Sequence, residues 1–388
     1  MAERSAVAWE ALAERRATEL ARALVRMGVM THGQAARLLR LPWQTAKDLT
    51  THRWDMFEVQ YKVSKRVTSG RYVVPGNRIM SLLRLTDDTL EVCSQQEGIS
   101  RTRNRVPPEM LGQTLNMVEL LIRMRHDSLL YDEWDMMLPQ NGDEGLHAWL
   151  VKQDDDYKLG VFLLPMRLKR EETWKRGFIF NGVIRRVVQN SSVTKILFLA
   201  TREHYAVALR NLSTLERVGR TFYLLPWESF LAHPKWFLDA IYEGDRTQRN
   251  HLVENIFDSD DKLRVPVEYA FAALLRHRGG RYRFVDTYVN GSTDRARNWR
   301  EYIYGYQIPN TGQVAGADVY VFDETMREGL DAVLRMKSKK QFDVSMVEVH
   351  GWPEGMVKPK PADDASQDAF DEVDDSDIDW DAWLNEPW

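Results

Sequence analysis

The sequence predicts a multidomain protein of mixed α+β and α/β class, and three observations predict it. Its 388 residues, 44% hydrophobic and 11% aromatic, suffice for two or three cores of ordinary size. In the first quarter apolar residues recur with a helical period. Beyond residue 146, short apolar strands alternate with helical patterns of roughly 12–18 residues, the rhythm of a sheet with some parallel strands.

The first helix is expected over 6–27, where Trp9, Ala13, Ala17, Leu20, Leu24 and Met27 share one face at spacings of three and four. Gly28 is placed to end it. Thr31, His32, Gly33 and Gln34 have the form of a capping box, in which the Thr31 hydroxyl and the Gln34 amide each satisfy a free backbone N–H. The helix so begun runs through Leu38 and Leu39 until Pro42 stops it, and a short helix follows from Trp43 to Thr51. The period then changes. Phe57, Val59, Tyr61 and Val63 alternate with Glu58, Gln60 and Lys62, which predicts a half-buried strand. A basic turn over 64–70 and a return strand over 71–74 complete a hairpin.

A helical connector is expected over 109–137, with Leu111, Leu115, Val118, Leu121 and Ile122 as its stripe. Strands at 146–152 and 159–165 flank a turn at 153–156. A helix at 172–189, a strand at 195–200, a helix at 202–217, a strand at 222–225 and a helix at 227–242 follow. The region 250–350 gives helices near 266–277, 293–303 and 325–337 and strands at 281–289 and 317–322. The expected domains are 1–92, the connector 93–145, an α/β domain 146–245, a second α/β subdomain 246–352, and a linker with a disordered acidic tail from 353. No internal repeat is visible.

Composition narrows the function classes. No run of 18 apolar residues occurs, so no spanning helix is expected, and the charged N-terminus lacks the apolar core of a signal peptide. A cytoplasmic location is the expectation. The single cysteine, Cys93, excludes an internal disulfide and a cysteine-based zinc site, and reads as packing. The net charge of −4 hides an asymmetry: residues 363–388 carry eleven Asp or Glu and no Lys or Arg, which leaves the rest at about +7. Residues 1–90, with 15 basic against 9 acidic side chains, hold most of that excess. A basic domain at one end suits a polyanion.

Helix, three-residue turn, helix and a basic-tipped hairpin is the layout of a winged helix-turn-helix. Its second helix would bury Trp43, Ala46 and Leu49 and present Gln44, Thr45, Lys47 and Asp48, side chains that reach base edges in a major groove. Lys65 and Arg66 in the wing, with Arg71 beside it, would meet phosphates of double-stranded DNA. A winged helix that binds protein instead is the alternative. Residues 31–39 followed by a wing resemble the N-terminal module of the replication-relaxation family, encoded on plasmids and conjugative elements. The resemblance implies a role in transcriptional control, replication or mobilisation. It also implies a helical connector and a degenerate, nuclease-like α/β body behind the winged helix. The acidic, aromatic C-terminus is not a feature of that family.

A working nuclease would need an acidic residue and an (Asp/Glu)-x-Lys beside a sheet to hold a metal. The nearest match is Asp156, Tyr157 and Lys158 with Asp154 and Asp155 adjacent, and Asp258 to Lys262 is a second run. Both fall where aspartates are ordinary turn residues. The nine histidines never take HxxxH or HExxH spacing, and Gly312 to Gly316 lacks the Lys-Ser/Thr of a phosphate loop. The expectation is therefore no catalytic residue, no metal and no cofactor, with a metal-dependent nuclease as the alternative.

Two further stretches stand out. Arg281, Arg283, Arg295, Arg297 and Arg300 interleave with Tyr282, Phe284, Tyr288 and Trp299, a second candidate nucleic-acid patch if the aromatics are exposed. If the aromatics are core, the arginines merely coat a strand and a helix. In the tail, Trp380, Trp383, Leu384 and Trp388 fall on one side of a helical turn among acids, a segment suited to docking on a protein partner and folding there. Self-inhibition of the basic domain and plain solubility are the other readings.

Overall fold

The structure is a computed structural model that describes residues 2–52, 57–60, 72–76, 111–130, 132–137, 146–153, 155–164, 182, 184–189, 193–215, 219–247, 262–264, 274–278, 281–302, 307–308, 312–335 and 347–352. These form two compact units, the first within 1–141 and 147–157, the second within 142–146 and 158–361. The chain is mixed α/β, and no described helix is long and apolar enough to cross a membrane.

In the first unit, α1 (Ala2–Met27) buries Ala17, Leu20, Leu24 and Met27 completely. Gly28 stops it as expected: at φ 77° its N–H reaches the Leu24 carbonyl at 2.7 Å. β1 (Met30–Thr31) leads into α2 (His32–Leu39), whose capping box is formed on both sides, Thr31 Oγ1 accepting from the Gln34 N–H and Gln34 Oε1 from the Thr31 N–H. Arg40, left-handed at φ 51°, ends α2 with N–H bonds back to Ala36 and Arg37. After Pro42 comes α3 (Trp43–His52), then β2 (Phe57–Gln60) and β3 (Tyr72–Pro75). The three strands make an antiparallel sheet in the order β1-β3-β2.

The expected connector helix is shorter than its apolar pattern and belongs to this unit. As α4 (Leu111–His126) it packs on α1 and α2. Ser128 at φ 55° turns the chain, and 134–137, expected as helix, is the strand β4 (Trp134–Met137) paired antiparallel with β5 (Ala148–Lys152). Trp134, Asp135 and Met136 are all buried, and a segment buried on every side shows no period that separates strand from helix. Asp135 is there to meet Arg26 of α1 in a bidentate pair of 2.7 and 2.8 Å.

The second unit carries two sheets. β6 (Lys158–Leu163), β7 (Lys195–Ala200) and β8 (Thr221–Pro226) are parallel neighbours. Their near-continuous apolar sequences reflect burial on both faces. α5 (Arg202–Thr214) links β7 to β8. The single helix expected over 227–242 is two, α6 (Trp227–Ala232) and α7 (Pro234–Thr247), with Pro234 at a first helical position where its missing N–H costs nothing. The other sheet begins with the antiparallel β9 (Lys262–Arg264), β10 (Leu274–Arg278) and β11 (Arg281–Thr287). The helix expected near 266–277 is thus a strand from 274 on, where pairing overrides the helical propensity of its leucines.

From β11 the chain crosses over α8 (Thr293–Tyr302) to β13 (Gly312–Tyr320), and over α9 (Glu324–Leu334) to β14 (Val347–His350), all three strands parallel. The short β12 (Gln307–Ile308) pairs with the start of β13. The turn after β11 passes against β8: the Leu224 N–H bonds the Gly291 carbonyl at 2.9 Å. Gly291 is required there, since at φ 65° an added Cβ would lie 2.1 Å from the Leu224 oxygen.

Candidate nucleic-acid interface and a strand-edge cluster

The α2–α3 pair is held from inside. His32 Nε2 meets Thr50 Oγ1 at 3.2 Å in the buried seam, and the His32 ring tilts against Trp43. Gln34, already engaged in the cap through its oxygen, donates its amide to the Leu115 carbonyl at 2.9 Å and to Glu119 at 2.8 Å. One side chain thus starts α2 and ties it to α4. Arg37 also pairs with Glu119, and His126 Nε2 reaches the Arg37 carbonyl at 3.0 Å. Burial, followed by the neighbouring Arg40 guanidinium, lowers the His126 pKa from its ordinary value.

With its inner side so fixed, α3 turns Gln44, Thr45, Asp48 and Thr51 to solvent. Ala46 is buried as expected, whereas Trp43 and Leu49 are half-buried. Lys47 is half-buried too, its ammonium 5.2 Å from the centre of the Trp43 ring. Gln44 Nε2 donates to Asp48 at 2.9 Å, so the exposed row carries an internal hydrogen bond. Thr51, which the sequence reading did not single out, completes the row at position i+7 from Gln44. Arg40, exposed in the turn before α3, has a left-handed backbone of the kind that Asn or Gly adopts more readily. Lys65, Arg66 and Arg71 lie outside the described residues, as do Cys93 and the tail with Trp380, Trp383, Leu384 and Trp388.

The second candidate patch is built differently from the exposed aromatic surface that single-strand binding needs. Phe284, Tyr288 and Trp299 are buried, and Tyr282 is half-buried, so the core alternative describes these rings. The arginines are not mere coating either. Arg295 pairs with the buried Asp286 at 3.3 Å and Arg283 with the buried Asp318 at 3.1 Å, while Arg297 closes an i,i+3 pair with Asp294. Arg281 is exposed. The Arg300 side chain lies outside the described residues. Two of the five guanidiniums, those of Arg283 and Arg295, thus pair with buried carboxylates.

Of the residues that the alternative nuclease reading would use, Asp156 is exposed after β5 and Lys158 is exposed at the start of β6, while Asp154 and Asp258 lie outside the described residues. The sheet carries a different cluster. Asp318 on β13 is registered with Glu348 on β14, and Tyr320 with His350, so all four share one face of two adjacent parallel strands. Arg283 Nη2 lies 3.1 Å from both Asp318 Oδ1 and Glu348 Oε1, and His350 Nε2 lies 3.2 Å from the same Asp318 oxygen. The His350 ring stacks on Tyr320 with centroids 5.1 Å apart. Asp318 is fully buried, Glu348 about half exposed at 47% and His350 31% exposed. The alternation Val347, Glu348, Val349, His350 was the available signal, in a segment for which no element was expected. No family model, curated protein or solved structure matches the chain.

Proposed function

We propose that the chain is a sequence-specific DNA-binding protein whose first unit is a winged helix-turn-helix with α3 as its recognition helix. The observation that carries this reading is the element order α1-β1-α2-α3-β2-β3 with the sheet order β1-β3-β2, behind an α3 whose outward row is short and polar. Gln44 and Thr45 read base edges, Arg40 and Lys47 meet phosphates, and the segment between Gln60 and Tyr72, with Lys65, Arg66 and Arg71 in or beside it, is the wing. The resemblance to the replication-relaxation family would place the protein on a bacterial mobile element, in transcriptional control or in plasmid replication and mobilisation, with the acidic tail docking a protein partner.

Selection from a random duplex library by the full chain, followed by gel-shift titration against salt, tests the reading. A recovered consensus is expected. Gln44→Ala or Thr45→Ala should shift base preference by roughly 1–3 kcal/mol at one position. Lys65→Ala and Arg66→Ala should each weaken binding to all sequences and lower the salt slope by about one. Absence of any consensus, with wing and helix variants binding as the parent does, would leave the protein-binding adaptor in its place.

A further inference from the structure

We propose that Asp318, Glu348 and His350 form a binding site for a divalent transition-metal ion, with Arg283 holding the cation's place when no metal is bound. This is independent of the DNA-binding reading and rests on different residues in the other unit.

The geometry comes from backbone. Two neighbouring parallel strands in register, Asp318 with Glu348 and Tyr320 with His350, place the three donors on one face without relying on a loop. One oxygen or nitrogen from each lies within 4.8 Å of the others. For metal–donor distances near 2.1 Å, donors at right angles are separated by roughly 3.0 Å and tetrahedral donors by roughly 3.4 Å. His350 Nε2 is 3.2 Å from Asp318 Oδ1 and 3.8 Å from Glu348 Oε2, so closure on an ion needs the exposed Glu348 to move and the Arg283 guanidinium to give up its place. Stacking on Tyr320 fixes the His350 ring with Nε2 toward the carboxylates.

A second observation says what charge belongs there. The Arg283 guanidinium sits 3.1 Å from both carboxylates, so the position between them is already a cation's. A divalent ion would bring two positive charges to two carboxylates. The donor set of two carboxylates and one imidazole suits manganese, iron(II) or zinc better than calcium or magnesium, which prefer oxygen throughout. Three protein ligands leave coordination positions for water, and the partial exposure of Glu348 and His350 gives the ion a way in.

The test uses the full chain after dialysis against chelator. Manganese(II) uptake is read by loss of the free-ion paramagnetic resonance signal, zinc(II) by equilibrium dialysis, and folding by the thermal midpoint. One ion per chain is expected. His350→Ala and Asp318→Asn should each weaken binding at least about tenfold. Arg283→Gln should tighten it, because the competing guanidinium is gone, and added manganese should raise the melting point of that variant but not of Arg283→Gln combined with His350→Ala. Magnesium should bind far more weakly than manganese. Wild type and Arg283→Gln that take up no more ion than His350→Ala would overturn the site and leave the cluster as a structural ion pair. Should Arg283→Gln fail to fold, the comparison of wild type with His350→Ala decides alone.

Discussion

Each unit buries an aspartate against an arginine, and the two pairs are built to different ends. In the first unit Arg26 meets Asp135 through two parallel N–H···O bonds, with side chains only 4% and 2% exposed. Asp135 also accepts the Met136 N–H. In the second unit Arg283 meets Asp318 at the sheet face, 12% exposed, and shares it with Glu348 and His350. A sealed bidentate pair has its hydrogen bonds satisfied and nothing left to offer a ligand, so it fixes α1 against β4. An open pair with extra donors around it can exchange one cation for another. Burial of a charge is therefore a poor guide to function; the company the charge keeps decides it.

The largest expected effect tests that distinction directly. Asp135→Ala strands the Arg26 guanidinium in the core and should cost about 3–5 kcal/mol of stability in urea unfolding. Asp318→Asn leaves Arg283 with Glu348 and the Ala317 carbonyl, and should cost only about 1.5–3 kcal/mol. Equal costs would mean that the second pair is as structural as the first.

The sealed character of the first unit has a second consequence. Burial lowers the pKa of His147 to about 3. The native state holds it neutral while the unfolded chain takes up a proton below pH 6.5, so its contribution is complete above that pH and is lost on acidification toward pH 3. The slope is about 1.4 kcal/mol per pH unit, or about 2 kcal/mol by pH 5. His147→Gln should flatten the stability profile between pH 6.5 and 4, measured by urea unfolding at each pH. A profile as steep in the variant as in the parent would assign the acid sensitivity to other groups.

Helix starts give a finer contrast. Thr31 caps α2 through a reciprocal box, while Thr201 before α5 makes no cap bond and turns its hydroxyl to His204 Nδ1 at 2.8 Å. Thr31→Ala should cost about 1 kcal/mol, and Thr201→Ala less, with thermal midpoints as the readout. Equal losses would show that the Gln34 half of the box, anchored on α4, carries the cap by itself.

These contrasts also show what the sequence could tell. The capping box, the Gly28 stop, the Lys195–Ala200 strand and the polar row of α3 were legible because each is a local device, complete within four to ten residues. Long-range devices were not. Asp135 reads as a polar interruption in a helix until Arg26, 109 residues away, is seen beside it. Arg283 and Arg295 read as surface charge until Asp318 and Asp286, their partners, are seen beside them. The strand-edge cluster needed the register of β13 with β14, which no window of sequence contains. The aromatics of 282–299 were ambiguous for the same reason: periodicity tells which face they share, not what covers it.

The smallest effect concerns the α3 row and returns to the company a charge keeps. Asp48 is an exposed carboxylate on a face proposed to enter the groove of a polyanion, and it holds the amide of Gln44 at 2.9 Å. Before Gln44 can present that amide to a base, the intrahelical bond must open, and Asp48 must then sit near phosphate charge. Asp48→Ala removes both obstacles. Duplex binding should tighten by a few-fold at low salt, about 0.5–1 kcal/mol, and the gain should shrink as ionic strength rises and screens the carboxylate. Its base preference should stay that of the parent at positions other than the one Gln44 reads. Weaker binding in Asp48→Ala would mean the opposite arrangement, in which Asp48 accepts from a cytosine amine and Gln44 only steadies it. No change at any salt concentration would remove this face of α3 from the interface, and with it the difference in role between the polar row of the first unit and the ion-pair cluster of the second.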